Sequence, residues 1–180
     1  MKIIFLDIDG VLNTSETFKE IYYEFKETGK RRVEIDLKRV EYLKRIVDAT
    51  DAKIVLSSTW RFFFNKEDDK LIPRNKSAID LVEILNNYEL AIYDITPRDS
   101  KGMRCNEINA WLYDKDVESF VIIDDDSFDL QEFVDKELIK TSFTKPDEMI
   151  KNMDDCMGLC EEHIPKCINI LNKNVKKRAR

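Results

Sequence analysis

The apolar residues of the chain fall into five short runs, separated by longer segments with helical periodicity. The runs are KIIFLD (2–7), KIVLSS (53–58), LAIYDI (90–95), FVIIDD (120–125) and LIKTSF (138–143). The first, second and fourth are almost continuous in Ile, Val, Leu and Phe, which is typical of strands covered on both faces. Strands that alternate with helices predict a parallel sheet between two helical layers, connected by right-handed crossovers.

The segments between these runs predict the helices. Leu37, Val40 and Leu43 recur at three- and four-residue spacing after Asp36, a residue suited to the N-cap of a helix. Ser77 begins a capping-box pattern that precedes a second apolar face. Three more helices are predicted, one with apolar residues in 108–112, one with apolar residues in 130–134, and one that begins within 144–147.

Composition limits the class of protein. A chain of 180 residues with 43% hydrophobic and 37% charged residues is typical of one globular domain. The net charge of −6 argues against non-specific binding of nucleic acid over the whole surface. We expect no membrane span, because no apolar run approaches about 18 residues. Four cysteines without an export signal predict reduced thiols in a cytoplasmic protein.

Polar side chains follow three of the predicted strands where each strand ends. Asp7 and Asp9 follow the first, Ser57 and Ser58 the second, and a run of acids the fourth. The carboxyl ends of parallel strands share one edge of a sheet, where ligands bind near the topological switch point. Carboxylates gathered there repel each other unless a cation lies among them, and oxygen ligands suit Mg²⁺. Helix caps and solvent-exposed strand ends are the alternative interpretation of each single aspartate.

Four motifs occur in order across residues 1 to about 130. They are DIDGVLN, KIVLSS, the lone Lys101 at a predicted helix start, and the acidic IIDDDSFD. With these motifs the chain resembles the haloacid dehalogenase-like (HAD) superfamily of aspartate-nucleophile phosphatases. The segments IVLSSTWR, KGMRCNEINAWL and VIIDDD are further similar to the HAD domains of Swiss-Army-knife-type RNA repair proteins. The resemblance implies an α/β three-layer sandwich with a central parallel sheet of Rossmann type.

The resemblance also implies roles for individual residues. Asp7 would be the nucleophile that forms an aspartyl-phosphate, and Asp9 the general acid and base. Lys101 would neutralise charge on phosphate and carboxylate. Ser57 or Ser58 would contact a phosphoryl oxygen, and Gly10 would let the backbone pass close to the phosphate. The Mg²⁺ ligands would be Asp7, the Asp9 carbonyl, Asp124 and Asp125. An alternative spacing for the fourth motif pairs Asp125 with Asp129, and both spacings remain open.

The gaps between motifs indicate the class of substrate. A short flap at about 13–33 and the segment 59–89 leave no room for a large cap domain. An open site suits the end of a polymer, so the predicted substrate is a phosphorylated RNA or DNA end or a nucleotide. The aromatic residues of segment 60–64, which include Trp60, border the second motif and could stack bases, although such clusters are more often core or a dimer surface. Arg61 could bind phosphate. A phosphoprotein phosphatase, a non-catalytic HAD-like binding module and a signalling receiver domain are the alternatives.

The C-terminal region lies outside the four motifs. We expect a catalytic domain over 1–144 and a helical extension with a basic tail over 145–180. Three cysteines and the single histidine of this region have spacings that resemble a zinc set, namely Cys156, Cys160, His163 and Cys167. Ligands on one helix cannot surround a metal tetrahedrally, so we interpret them as buried faces of two short helices. Pro165 is expected to interrupt a continuous helix there.

Overall fold

The central sheet has five parallel strands. The structure is a computed structural model that describes residues 1–68, 70–144 and 157–173. The sheet strands are β1 (Lys2–Leu6), β2 (Lys53–Leu56), β5 (Ile92–Ile95), β6 (Ser119–Asp124) and β7 (Leu138–Lys140). Their order across the sheet is β5-β2-β1-β6-β7. The predicted α/β class with a central parallel sheet is confirmed.

The helices of the described chain are α1 (Ser15–Thr28), α2 (Leu37–Thr50), α3 (Lys76–Asn87), α4 (Arg104–Leu112) and α5 (His163–Asn172). Buried residues of α2, α3 and α5 pack into the core on one face of the sheet, and those of α4 into the core on the other face. Asp36 caps α2 as predicted, because its side chain accepts a hydrogen bond from the main-chain N–H of Lys38. The helix predicted from residues 108–112 is α4.

Strand β1 is buried on both faces, and its side chains divide between two cores. Ile4 and Leu6 belong to the larger core, which includes apolar residues of α2, α3 and α5. Ile3 and Phe5 belong to the smaller core, which includes Trp111 of α4. This alternation explains why the strand is continuously apolar in sequence.

One predicted helix is absent from the described structure, and the predicted cap of another helix is wrong. Residues 130–134 contain only a 3₁₀ turn, Gln131–Phe133, and its apolar residues pack into the smaller core without a full helical turn. Helix α3 is capped by Asn75, whose Oδ1 accepts from the N–H of Ala78 at 2.9 Å, so Ser77 is inside the helix. The helix start predicted within 144–147 falls mainly on residues outside the described part of the chain.

The segments that could have held a cap domain are short secondary-structure units. The predicted flap at 13–33 contains the helix α1. The segment 59–89 contains a 3₁₀ turn (Thr59–Phe63), an antiparallel hairpin of β3 (Phe64–Glu67) and β4 (Lys70–Pro73), and α3. The hairpin was not predicted from the sequence.

The C-terminal helix packs on the same core as the sheet. Ile164, Cys167 and Leu171 of α5 are buried in the larger core. Pro165 does not interrupt a helix, because it lies in the first turn of α5, where proline is tolerated. The domain boundary at 144/145 remains a prediction.

The cysteines differ from the expectation of four reduced thiols. Cys105 and Cys167 are free, whereas Cys160 is disulfide-bonded. Cys156 of the zinc-like set lies outside the described residues, and Cys160 Sγ is 3.6 Å from His163 Nδ1. In the ranges that the structure describes, no helix is long and apolar enough to cross a membrane.

Candidate active site

The topology of the sheet brings the ends of β1 and β6 together. The chain runs from β1 to β2 and β5 on one side, then crosses to β6 on the other side of β1. The switch point therefore lies between β1 and β6, where ligands bind in open parallel sheets. Leu6 lies opposite Ile123, and the N–H of Asp7 donates to the Ile123 carbonyl at 3.0 Å. The next residues, Asp7 and Asp124, are consequently neighbours.

Three carboxylates converge at this switch point. Asp7 is 5% exposed and Asp124 is 1% exposed, while Asp125 is partly buried. One carboxylate oxygen from each of Asp7, Asp124 and Asp125 lies within 4.8 Å of the other two. A convergent set of oxygen donors fits Mg²⁺, which prefers carboxylate ligands and retains several waters. Among the described residues, no other group of three or more histidine, cysteine or acidic side chains is close enough together to hold a metal ion.

Burial and mutual repulsion perturb the acids of this cluster. Desolvation, followed by the charge of Asp124, raises the pKa of Asp7 to about 7. Desolvation and the charge of Asp124 likewise raise the pKa of Asp125 to about 6. Burial also raises the pKa of Asp124, although the nearby Arg104 opposes the shift. Perturbed carboxylates in a strand-end crevice indicate a functional site, and a bound cation would reverse these shifts.

Arg104 is the cation that contacts this cluster in the structure. Its Nη1 lies 3.4 Å from Asp7 Oδ1 and donates a short hydrogen bond to Asp124 Oδ2. Burial alone would lower the pKa of Arg104, but the charges of Asp124 and Asp7 outweigh it and raise the pKa. The main-chain N–H of Arg104 also donates to Asp129 Oδ2, so Asp129 holds the start of α4.

Arg104 was missed in the sequence, although a signal was present. It is the first residue of α4, where a basic side chain opposes the helix dipole. An arginine at this position does not stabilise the helix, so its presence indicates an acidic partner outside the helix.

Lys101 lies on the turn that precedes α4 and is exposed. The helix does not begin at Lys101 as expected, since Arg104 is its first residue. The main-chain N–H of Lys101 donates to Asp99 Oδ2 at 3.0 Å, and in the described part of the chain its ammonium group forms no ion pair. The catalytic role of Lys101 stays a prediction.

Asp9 is held by neutral donors instead of charges. Trp60 Nε1 donates to Asp9 Oδ2 at 3.0 Å, and Asn13 Nδ2 donates to Asp9 Oδ1 at 2.8 Å. Asn13 is fixed in turn, because it donates to the Glu34 carbonyl and accepts from the N–H of Gly10. Neither Trp60 nor Asn13 was identified as a site residue from the sequence.

Gly10 makes a close approach that no other residue allows. Its φ is +77°, and a Cβ atom built on it would lie 2.3 Å from Asp125 Cγ. Its carbonyl accepts a hydrogen bond of 2.7 Å from Thr141 Oγ1 after β7. The glycine therefore lets the first-motif turn pack directly against an acid of the fourth motif.

The two serines after β2 differ in their contacts. Ser58 Oγ interacts with the Asp7 carboxylate, which lowers the pKa of Asp7 in opposition to burial, and accepts from the N–H of Trp60. Ser57 Oγ is buried and has no hydrogen-bond partner within residues 1–68, 70–144 and 157–173. Ser58 is thus the serine beside the candidate nucleophile, while Ser57 has an unsatisfied hydroxyl.

Arg61 is placed inside the protein and is 6% exposed. Its Nη2 lies 2.5 Å from Glu107 Oε1, and its Nη1 donates to the Ser58 carbonyl at 2.9 Å. Glu107 Oε1 also accepts from the N–H of Asp99. This buried pair connects the loop after β2 to α4. The exposed cation of this region is Arg98, whose guanidinium lies 4.0 Å from the centre of the Phe62 ring.

Comparison with known protein families gives a match over most of the chain. Residues 3–145 match the model of a family described as the HAD domain in Swiss Army Knife RNA repair proteins. Neither the curated proteins nor the solved structures provided a match. The matched region covers most of the chain and includes every strand of the central sheet. The chain therefore belongs to the family of HAD domains found in Swiss Army Knife RNA repair proteins.

Proposed function

We propose that the protein is a magnesium-dependent phosphatase that acts through an aspartyl-phosphate on a phosphorylated nucleic-acid end or a nucleotide. Membership of the HAD family suggests a phosphatase-type function. The observation that carries the proposal is the convergence of Asp7 with Asp124 and Asp125 within 4.8 Å at the switch point of the sheet. A structural role alone does not account for three partly or fully buried acids with one contacting guanidinium.

Asp7 is the nucleophile in this proposal. One of its carboxylate oxygens bonds to phosphorus as the bond from phosphorus to the leaving oxygen breaks. Asp7, Asp124, Asp125 and the carbonyl of Asp9 would hold Mg²⁺, which supplies stabilisation of negative charge on the phosphoryl oxygens. Ser58 Oγ, which contacts Asp7, is suited to donate a hydrogen bond to a phosphoryl oxygen.

Arg104 is the residue that we propose to screen the repulsion between the carboxylates and an anionic phosphate. Phosphoryl transfer depends mainly on positioning and electrostatic stabilisation, which a guanidinium can provide through several N–H groups. Lys101 lies three residues before Arg104, on the turn that precedes α4, and it is the second candidate for this role.

Asp9 transfers the protons. In the first step it protonates the leaving oxygen of the substrate. In the second step it takes a proton from the water that attacks phosphorus, while the bond between phosphorus and the Asp7 oxygen breaks. Asp7 is then regenerated and inorganic phosphate is released.

The openness of the site supports a polymeric substrate. The two segments that could carry a cap contain only α1, the hairpin and α3, with no cap domain among the described residues. Phe62 follows the second motif and Arg98 follows β5, and this exposed pair offers a stacking face and a positive charge. The family description names RNA repair proteins, which favours nucleic-acid ends over phosphoproteins.

The test is a phosphatase screen of purified protein with Mg²⁺ and with a chelator. The substrates are 3′- and 5′-phosphorylated oligonucleotides, nucleotides and phosphopeptides, and the control is Asp7→Asn. We expect Mg²⁺-dependent phosphate release from at least one oligonucleotide, and none with Asp7→Asn. Turnover confined to phosphopeptides would show that the substrate is a phosphoprotein and not a nucleic-acid end or a nucleotide. Equal release by wild type and Asp7→Asn would show that the activity does not use Asp7, and release from no substrate would leave a non-catalytic module.

A further inference from the structure

We infer that Trp60 is a positioning residue whose indole N–H holds the Asp9 carboxylate in the orientation required for proton transfer. The inference rests on the proposed phosphatase function and extends it to a residue outside the four motifs. It concerns how Asp9 is oriented, and Trp60 acts only through Asp9, without contact with the substrate.

The position of Trp60 is determined by buried structure. The residue is 6% exposed and lies in the 3₁₀ turn that follows β2. Its main-chain N–H donates to Ser58 Oγ at 3.3 Å, and its ring packs against Phe63 with centroids 5.8 Å apart. The indole N–H is therefore presented to Asp9 by a backbone segment that also carries the serine beside Asp7.

The hydrogen bonds to Asp9 fix both of its oxygens. The N–H of Trp60 reaches Oδ2 and the amide of Asn13 reaches Oδ1. Among the residues that the structure describes, no ion pair involves Asp9. Two neutral donors restrict the rotation of the carboxylate without cancelling its charge. Each oxygen keeps a second lone pair that can hold the transferred proton.

The two donors are not equivalent. Asn13 also bonds to the Glu34 carbonyl and to the N–H of Gly10, so its loss would disturb the turn as a whole. The indole N–H of Trp60 has Asp9 as its hydrogen-bond partner and can be removed with little change of shape. Trp60 therefore offers the cleaner test of orientation.

A misoriented Asp9 has a specific kinetic signature. When the aspartyl-phosphate forms from an alkyl phosphate, the leaving oxygen needs a proton from Asp9. When it forms from 4-nitrophenyl phosphate, the leaving group departs as the stable 4-nitrophenolate anion and hardly needs that proton. Hydrolysis of the aspartyl-phosphate needs Asp9 to accept a proton from water whichever substrate was used. Loss of orientation should therefore selectively slow phosphoenzyme formation from alkyl phosphates, and it should cause the phosphoenzyme formed from 4-nitrophenyl phosphate to accumulate.

The experiment compares wild type with Trp60→Phe on 4-nitrophenyl phosphate and an alkyl phosphate in saturating Mg²⁺. General acid catalysis contributes about 10²–10⁴-fold, so we expect formation of phosphoenzyme from the alkyl phosphate to fall about tenfold more than formation from 4-nitrophenyl phosphate. With 4-nitrophenyl phosphate as substrate, acid quench should also trap more phosphoenzyme than in wild type. Replacement of Trp60 by benzothienylalanine, which keeps the ring shape and lacks the N–H, should reproduce the effect even if Trp60→Phe unfolds.

The matched control is Phe63→Leu, which alters the packing of the indole ring and retains its N–H. We expect this variant to show the same ratio of alkyl to aryl rates as wild type. The inference would be overturned if the rate of phosphoenzyme formation fell equally on both substrates in Trp60→Phe and in the benzothienylalanine protein. The same selective fall in Phe63→Leu would also overturn it. Those outcomes leave the phosphatase proposal intact, whereas turnover by Asp7→Asn equal to wild type would overturn the proposal itself.

Discussion

Asp7 and Asp9 are two residues apart in sequence and occupy opposite kinds of environment. Asp7 lies among two other carboxylates and the guanidinium of Arg104, and its pKa is raised to about 7. Asp9 accepts hydrogen bonds from an uncharged indole and an uncharged amide. The difference arises from the partners that α4, β6 and the turn after β2 supply. Two neighbouring carboxylates can thereby receive different chemical roles.

The largest expected effect comes from Gly10→Ala, which would force the Asp9 turn away from Asp125. The new Cβ would lie 2.3 Å from Asp125 Cγ at a backbone φ of +77°. Displacement of the acid by about 1 Å can cost on the order of a hundredfold in activity, which steady-state kinetics would measure.

Gly29→Ala is the matched control for this variant. Gly29 has a φ of +68° at the end of α1, and a Cβ atom added to it would meet nothing within 4 Å, so it carries the backbone strain without the clash. We expect Gly29→Ala to lose about 1 kcal/mol of stability and retain full activity. Equal activity loss in both variants would show that backbone strain, and not contact with Asp125, is the cause.

Arg104→Met removes the cation that distinguishes the surroundings of Asp7 from those of Asp9. Asp7 and Asp124 would be left close together without a counter-charge, because Arg104 contacts both. Breaking a buried pair by removing one partner costs about 3–5 kcal/mol, so we expect about 3 kcal/mol for this partly exposed arginine. Urea denaturation without metal would measure the loss.

Added Mg²⁺ should restore part of that stability, because it binds the folded state only. Arg98→Met is the control, since Arg98 is exposed and contacts Phe62 instead of an acid. A similar loss in Arg98→Met would contradict a specific role for Arg104 as counter-charge.

Asp7→Asn tests the electrostatic difference through pH. The pKa of Asp7 is raised from 3.8 to about 7, so between these values the folded protein binds a proton that the unfolded chain releases. The stability of the metal-free protein therefore falls as pH rises through this window. We expect Asp7→Asn to be more stable than wild type by on the order of 2 kcal/mol at pH 8, with no gain near pH 4. Thermal unfolding at both pH values measures this, and a gain of equal size at pH 4 would contradict it.

The smallest expected effect is that of Lys101→Met. Lys101 is exposed, so the free energy of unfolding should change by no more than about 0.5 kcal/mol. We expect kcat/KM to fall less than in Arg104→Met, because of the two cations Arg104 is the one that contacts Asp7 in the described structure. A larger fall in Lys101→Met would assign the screening role to Lys101 and return Arg104 to a structural one.

The acidic part of the site was predictable because it follows from sheet topology. Apolar runs identify β1 and β6, and the carboxyl ends of parallel strands must lie at one edge. Asp7 and Asp124 are then neighbours regardless of the conformation of the loops. The same reasoning located the serines after β2, but it could not decide which of them lies beside Asp7.

The remaining parts of the site depend on side-chain contacts that no local pattern encodes. Trp60 is 51 residues from Asp9, and its apolar character had suggested a core or stacking role. Helix α4 begins three residues after Lys101, at a residue preceded by Met103, which provides no side-chain cap. A shift of that size decides whether Lys101 or Arg104 points to the acids, and helix boundaries read from sequence vary by that amount.

A guanidinium fixed by covalent bonds to the chain cannot be removed by dialysis or chelators. Because Arg104 contacts both Asp7 and Asp124, part of the repulsion between these acids is relieved before any ion binds. In the proposed magnesium-dependent phosphatase, binding of the ion would be an exchange between an internal and an external counter-charge. Such an enzyme would give up some affinity for the ion in return for a binding site that is assembled before the ion arrives.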